Sequence, residues 1–458
     1  MEEIQNSEKL DARWFKRFED VFFEDYEKLT GHKEKREAEK NKFLAGDTEN
    51  PTLDYPELES FNLDEREADL LSLKEDILEL EHNEFVKKLY RTRINELLAT
   101  LRMLRATKNG DDRKFSRYAD FIYGKPGAGE VGYIVEHVKE LIAQNIENEN
   151  QEKRQAAGRL QEIFNELKYE VGAGVDKSIL PAEEDNSRII NSIDEVVEVF
   201  RKALQEIGAD DWKIEVDDPN YKTSSFAEFV VVVDEPKGLE KFSVSQEEKI
   251  AQIPSQDGLK NRNLLKSKLT ENKLKAVIEH EIKTHAARRI NGERSRLQLL
   301  GLGLDRSHKA EEGIATYAEQ QITGASEFAG IPRFLSVALA KGLSGEKLDF
   351  RRTHSIMSDY RFLSSTKENT TPEQAQVIAY DDCVRIFRGT TCDTPGTVYS
   401  KDMAYFENRA IWTLVSKNSD VVKTFAAGKY DPNNSVHVAL LSQLGILDSD
   451  LKKLEDKE

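Results

Sequence analysis

Two histidines five residues apart, His280 and His285, with Glu281 beside the first, make a demand that a regular helix cannot meet. Their surroundings, AVIEHEIKTHAARRING, read as helix. At about 100° per residue, side chains five apart point about 140° apart, whereas side chains four apart differ by only about 40°. Both imidazoles reach one metal ion only where the helix is locally widened. A π-type bulge, with i to i+5 bonding, brings positions 280 and 285 onto one face, and such bulges are frequent at functional sites. The spacing therefore predicts that the backbone departs from α-helical bonding between residues 280 and 285.

H-E-x-x-x-H is one residue longer than the H-E-x-x-H signature of zinc peptidases. The chemistry of that signature needs two neutral imidazoles on the metal and a carboxylate beside them that stays off it. Zinc lowers the pKa of its bound water to about 7, and the carboxylate takes the proton as that water attacks a carbonyl. Glu281 occupies the place of that base. A catalytic zinc needs a third protein ligand. KAEEGIATY (309–317) offers Glu311 and Glu312 at the start of a predicted helix, with Ser307 as its N-cap. Acidic residues suit a helix N-terminus on electrostatic grounds alone, and helical phase does not choose between the two.

The rest of the sequence bounds the protein around this segment. The net charge of −18 argues against nucleic acid as the main partner. Residues 260–309 run the other way, with 13 Lys and Arg against 5 Asp and Glu. No run of 18 apolar residues is present, so no membrane partner is expected. MEEIQNSEKLDARWF lacks the layout of a signal peptide. The two cysteines, Cys383 and Cys392, exclude a disulfide framework. Together these features predict a reducing, cytoplasmic location.

Along the chain, helical periodicity dominates. Trp14, Phe15, Phe18, Phe22, Phe23 and Tyr26 suggest one amphipathic N-terminal helix that docks on the body, then the charged tract GHKEKREAEKNK and a linker from Gly46 to Pro56. Long helices are predicted over residues 61–110, where Phe85, Leu89, Leu97, Leu98, Leu101 and Leu104 recur, ending at Asn109-Gly110. A helix carrying Tyr118, Phe121 and Ile122 stops at Gly124, and another runs from Val131 to Gln144. Ser192 and Glu195 have capping-box spacing and open a helix ending at Gly208. Strand signals cluster in one window: alternating Trp212, Ile214 and Val216, the run 226–233, and the weaker 242–245 and 249–253. The expected fold is α+β, predominantly helical and zincin-like, with a small sheet preceding the motif helix. The expected division is a charged extension over 1–60, a helical subdomain over 61–190 and a catalytic domain over 191–458. An edge strand of the sheet would hold a peptide substrate as an added strand.

HEIKTH, Asn291-Gly292, LGLGL and EEGIATY, taken in order, resemble the microtubule-associated tyrosine carboxypeptidases and their prokaryotic relatives, which carry a Q-E-G-L-A motif. FSRYADFIYGKP (115–126), RIFRG (385–389) and VYSKDMAYF (398–406) extend the resemblance over roughly residues 60 to 420. It implies that His280, His285 and Glu312 hold one zinc per chain and that Glu281 is the base. Glu311 stands where the family usually has Gln, and Lys283 where Gly is common. The implied reaction removes a bulky or aromatic C-terminal residue from a peptide or protein tail. Detyrosination of tubulin belongs to the eukaryotic members, and the resemblance does not extend it to this chain. Arg388 and Lys401 are the candidates for gripping the terminal carboxylate. His354, Tyr360, Tyr399 and Tyr405 are the candidates for stabilising an oxyanion.

Two other readings compete. One is an endopeptidase of the same fold. The other is a helical binding or scaffold protein with a structural or lost metal, against which Glu281 counts, because a structural zinc has four closed ligands and needs no base.

Overall fold

The computed structural model describes residues 9–165, 167, 169, 177–183, 185–190, 192–219, 221, 230–233, 239, 242–245, 248–255, 269–365 and 370–447. Helix dominates, and the long helices are set by their own ends. Asn62, Asn83 and Asp111 cap the helices Leu63–Leu80, Glu84–Lys108 and Asp112–Tyr123 through their side chains. Gly110 and Gly124 close the last two with φ of 62° and 82°. The next helix is Ala128–Asn145. Two residues read as apolar-face positions, Phe85 and Phe121, are exposed, and the Arg306 guanidinium covers the Phe121 ring at 5.0 Å.

The helix Ile193–Glu206 begins after Ser192 as expected and is followed by Gly208 in the left-handed region, but its capping box is not made. Ser192 forms no side-chain cap bond, and Arg188 takes the Glu195 carboxylate instead. The strand window folds into four strands, β1 (Lys213–Val216), β2 (Val230–Val232), β3 (Ser243–Ser245) and β4 (Ile250–Ile253). Residues 226–229 of the second predicted run lie outside the described residues. The sheet order is β2-β1-β4-β3. β1 pairs in parallel with β2 and β4, and β3 lies antiparallel on β4, with Val244 opposite Ala251.

The sheet buries Ile214, Val216, Ala251 and Ile253 in one core with the motif helix. That helix presents Leu274, Ile278, Ile282, Ala286 and Ile290 to the core, every fourth residue over sixteen. An unbroken α-helix would rotate this stripe by about 40° at each step and carry it off the sheet. Residues Glu271–Val277 and Ala287–Arg294 are α-helical, but Ile278–Ala286 between them is π-helical, and the wider turns keep the stripe in register. Downstream, Gly292 faces Gly301 so closely that a Cβ on Gly292 would overlap the backbone of Leu300 and Gly301. The Asn291-Gly292 and LGLGL segments thus allow backbone-to-backbone contact behind the motif helix.

The N-terminal aromatic segment docks, as expected, but as two helices, Ala12–Val21 and Asp25–Lys28, and the charged tract after it forms a third, Lys33–Ala45, with Phe43 buried. The break lets Trp14 and Phe18 enter a core shared with Leu440 and Leu441, while Asp25 turns into a buried site formed by Tyr123, Tyr399 and Lys401. The extension also braces the end of the motif helix. Lys9 Nζ donates to the carbonyls of Glu293, Arg294 and Ser295 at 3.0, 2.7 and 2.7 Å. The Asp11 carboxylate accepts from the backbone N–H groups of Gln298 and Leu299, both at 2.9 Å, and from the Tyr90 hydroxyl. Glu19 pairs with Arg289 at 2.8 Å.

Asp11 is fully buried, so Asp11→Ala leaves two buried donors and one half-buried donor without their acceptor, at a cost of about 3 kcal/mol. A denaturant midpoint unchanged in that variant would mean that the extension is not part of the folded body.

Candidate functional site

The π-helical stretch answers the demand of the spacing. Thr284 Oγ1 donates to the carbonyl of Glu279, five residues back, at 2.7 Å, reinforcing the wide turn. His280 and His285 come to one face with ring centroids 5.0 Å apart and planes at 78°. The helix His308–Thr323 runs alongside and brings Glu312 to them. His280 Nε2 lies 4.0 Å from one Glu312 oxygen, and His285 Nε2 lies 3.9 Å from the other. One ligand atom from each of the three residues fits within 4.8 Å of the other two.

The other nitrogen of each ring is held by a carboxylate. His285 Nδ1 meets Glu311 at 3.0 Å, and His280 Nδ1 meets Glu319 at 3.2 Å. Both rings are thereby turned so that Nε2 faces Glu312. A second carboxylate on the far nitrogen is the arrangement that orients metal-binding histidines and raises their basicity. The structure therefore separates Glu311 from Glu312. Glu312 faces both imidazoles, and Glu311 orients one of them.

Ser307 stands at the N-cap of the carboxylate helix but makes no side-chain cap bond. Its helix carries Glu312 and Glu319 on the same face, because residues seven apart nearly coincide in phase. That spacing is the sequence signal for Glu319. Arg288 is the other residue that the motif alone did not single out. It follows His285 by three, about one turn, and its buried guanidinium pairs with Glu311 at 3.3 Å.

The electrostatics follow from four carboxyl groups and two imidazoles in one small space. Burial works against a charge on His280, but the Glu319 hydrogen bond and the charges of Glu281 and Glu312 outweigh it and hold the imidazole at about 9. Burial raises the Glu281 carboxyl, the two imidazoles opposing and Glu312 and Glu319 adding to the rise. Glu311 is also buried, yet Arg288, the His285 hydrogen bond and Lys429 bring it down to about 2. The cluster is short of positive charge. The donor set of two imidazole nitrogens and one carboxylate suits zinc, and tetrahedral bonds of about 2.0–2.2 Å place ligand atoms only a little closer than they stand here. Glu312 Oε2 is buried without a hydrogen-bond partner, which an ion in that position would supply. Among the described residues Glu281 makes no hydrogen bond or ion pair, so its carboxylate is free to receive a proton.

The remaining candidates separate. Tyr405, on the 3-10 helix Ser400–Glu407, lies within reach of the Glu312 charge, which is the first cause that raises its hydroxyl, followed by burial. Gly313 makes this approach possible, since its Cβ position lies 3.1 Å from the Glu407 carbonyl carbon. His354 is turned to the Gln376 carbonyl at 2.9 Å, Tyr360 to His137 at 3.4 Å, and Tyr399 to Asp25 at 2.9 Å. Arg388 ends the helix Pro372–Phe387 and lies over the Tyr26 ring at 4.3 Å. Lys401 is on the 3-10 helix rather than in a loop and pairs with Asp25 at 3.1 Å. Both cations serve the docked N-terminal segment. The basic stretch is similarly committed: Lys275 pairs with Glu271, Lys283 with Glu279 and Glu206, and Arg289 with Glu19 and Glu293. Residues 260–268 lie outside the described residues.

In zinc competition titrations, His285→Ala and Glu312→Ala are expected to lose the most affinity. Glu311→Ala should lose about 10- to 100-fold, as removal of an orienting carboxylate does. Glu311→Gln keeps an acceptor for His285 Nδ1 and should lose the least. Equal losses in Glu311→Ala and Glu312→Ala would undo the division of labour between them.

No curated protein and no solved structure matches the chain. A family match covers the stretch that holds the π-helical segment, the carboxylate helix and Tyr405, and it begins downstream of FSRYADFIYGKP. Its implication is carboxypeptidase-type activity. Residues 260–450 of the chain match the family of microtubule-associated tyrosine carboxypeptidases.

Proposed function

We propose that the protein is a zinc-dependent carboxypeptidase with a zincin-like catalytic core. It would remove one C-terminal residue, bulky or aromatic, from peptide or protein tails. The observation that carries this reading is the widened helix, which turns both Nε2 atoms toward Glu312 while Glu281 beside them stays free. His280, His285 and Glu312 would hold the zinc, which would supply Lewis-acid activation of water and of the scissile carbonyl.

The chain's own residues account for the rest. Glu281 accepts the proton of the attacking water and delivers it to the departing amine, and the raised affinity of its buried carboxyl for protons suits both transfers. Glu319 and Glu311 hold the two rings in position. Tyr405 stands beside Glu312 with its hydroxyl protonated, ready to donate to the oxygen on which charge develops. Among the described residues β3 is an edge strand next to the π-helical segment, and its open side is where an extended substrate would add. A scaffold reading leaves the free carboxylate of Glu281 without a purpose.

Glu281→Gln is expected to retain zinc and fold while losing about 10²- to 10⁴-fold in rate. Mass spectrometry of peptides ending in tyrosine, as free acid or as amide, is the direct assay. Single-residue release from the acid alone is the expected result, chelation should abolish it, and added zinc should restore it. Equal cleavage of acid and amide would select the endopeptidase reading, and full turnover by Glu281→Gln would remove the mechanism.

A further inference from the structure

A site built from four carboxylates repels a substrate that ends in a fifth. Glu281, Glu312 and Glu319 face the histidines, and Glu311 lies behind one of them. A carboxypeptidase with this arrangement needs a cation to receive the chain terminus. Most cations near the cluster are already committed. Arg288 serves Glu311 and two carbonyls, Lys309 pairs with Glu407, Arg385 with Asp402 and Lys401 with Asp25.

Arg333 differs from these. Among the described residues its guanidinium has no carboxylate within ion-pair range and no hydrogen bond. Its position is fixed instead by stacking, 3.8 Å from the centroid of the Tyr405 ring. The residue lies in the first turn of the helix Ile331–Ala340 and is half-buried. Gly330, with φ 85°, seats that turn on the 3-10 helix, its Cβ position only 2.5 Å from the Tyr405 carbonyl carbon. On the opposite side Gly313, next to Glu312, admits the Glu407 backbone. Tyr405 therefore stands between Glu312 and Arg333, with two glycines setting the spacing.

We propose that Arg333, held on the face of Tyr405, receives the C-terminal carboxylate of the substrate and so restricts cleavage to chain ends. The inference rests on the carboxypeptidase reading and assigns to Arg333 the role that Arg388 and Lys401, turned to the N-terminal segment, do not fill. A guanidinium offers a carboxylate two parallel N–H donors, which an ammonium does not. A chain that continues past the cleaved bond brings a neutral amide there and leaves the guanidinium without its partner.

The test compares the acid and amide of one tyrosine-terminated peptide on the wild type, Arg333→Gln and Arg333→Lys, with zinc content and thermal unfolding measured on each. The wild type should prefer the acid by about 100-fold or more, the usual cost of removing one member of a desolvated charge pair. In Arg333→Gln the acid-to-amide ratio should collapse toward one through a higher KM for the acid, with zinc retained. Arg333→Lys should recover part of the preference, and its behaviour decides the matter if Arg333→Gln does not fold. A second readout needs no turnover: calorimetry of N-acetyltyrosine and its amide with Glu281→Gln protein, where the acid should bind more tightly only while Arg333 is present. A wild type that prefers the acid, together with an Arg333→Gln variant that keeps the preference in rate and binding, overturns the role of Arg333 alone. A wild type that cleaves acid and amide equally overturns the carboxypeptidase reading and this inference with it.

Discussion

One buried guanidinium joins the pieces from which the site is made. Arg288 is 2% exposed and donates to the carbonyls of Gly428 and Tyr430 while pairing with Glu311. It leaves the motif helix one turn after His285, so a single side chain ties that helix to the carboxylate helix and to the segment after Phe425. A guanidinium in such a place is tolerated only when its partners are fixed, because an uncompensated buried charge costs several kcal/mol. Once they are fixed, Glu311 stays ionised, and an ionised Glu311 holds the His285 ring. The orientation of an imidazole thus depends on the path of a loop about 140 residues further along.

Much of this could be read from the residues, and what could not has a physical reason. The five-residue spacing of His280 and His285 implied a wide turn, and Ile278–Ala286 provides it. The same turn was written a second time, in the stripe Leu274, Ile278, Ile282, Ala286 and Ile290, whose period of four a plain α-helix would carry round by about 40° at each step. β-Branched and aromatic runs located all four strands. The choice between Glu311 and Glu312 was not legible, because it turns on which nitrogen of a ring each carboxylate meets. The break at Phe22–Glu24 was hidden because Asp25 leaves the helix for Tyr123, Tyr399 and Lys401, partners far away in sequence. The same distance hid the commitments of Arg388 and Lys401, whose loop-like surroundings gave no sign of Tyr26 and Asp25. Glu195 satisfied the spacing of a capping box and still went to Arg188, since a nearby guanidinium outcompetes a backbone amide for a carboxylate.

Charge placement separates structure from chemistry. Away from the site, cations and carboxylates pair one to one in places such as Arg361 with Asp382 and Arg159 with Asp359. At the site the balance is deliberately broken, with acidic groups in excess around two imidazoles and one guanidinium, Arg333, left unpaired among the described residues. Groups that would be costly to bury in that state make sense where ions and substrates complete them.

The sharing of one core by Trp14, Phe18, Leu440 and Leu441 has a consequence for the order of events during synthesis. A brace anchored by residues near both ends of the described chain closes a loop of more than 400 residues, and such long closures come late and slowly. The motif helix emerges from the ribosome with its sheet but without the loop at Gly428 that anchors Arg288. The brace that Arg288 and Glu311 place on the His285 ring is therefore completed only when Gly428 and Tyr430 have emerged, so the imidazole pair takes its final geometry among the last steps of folding.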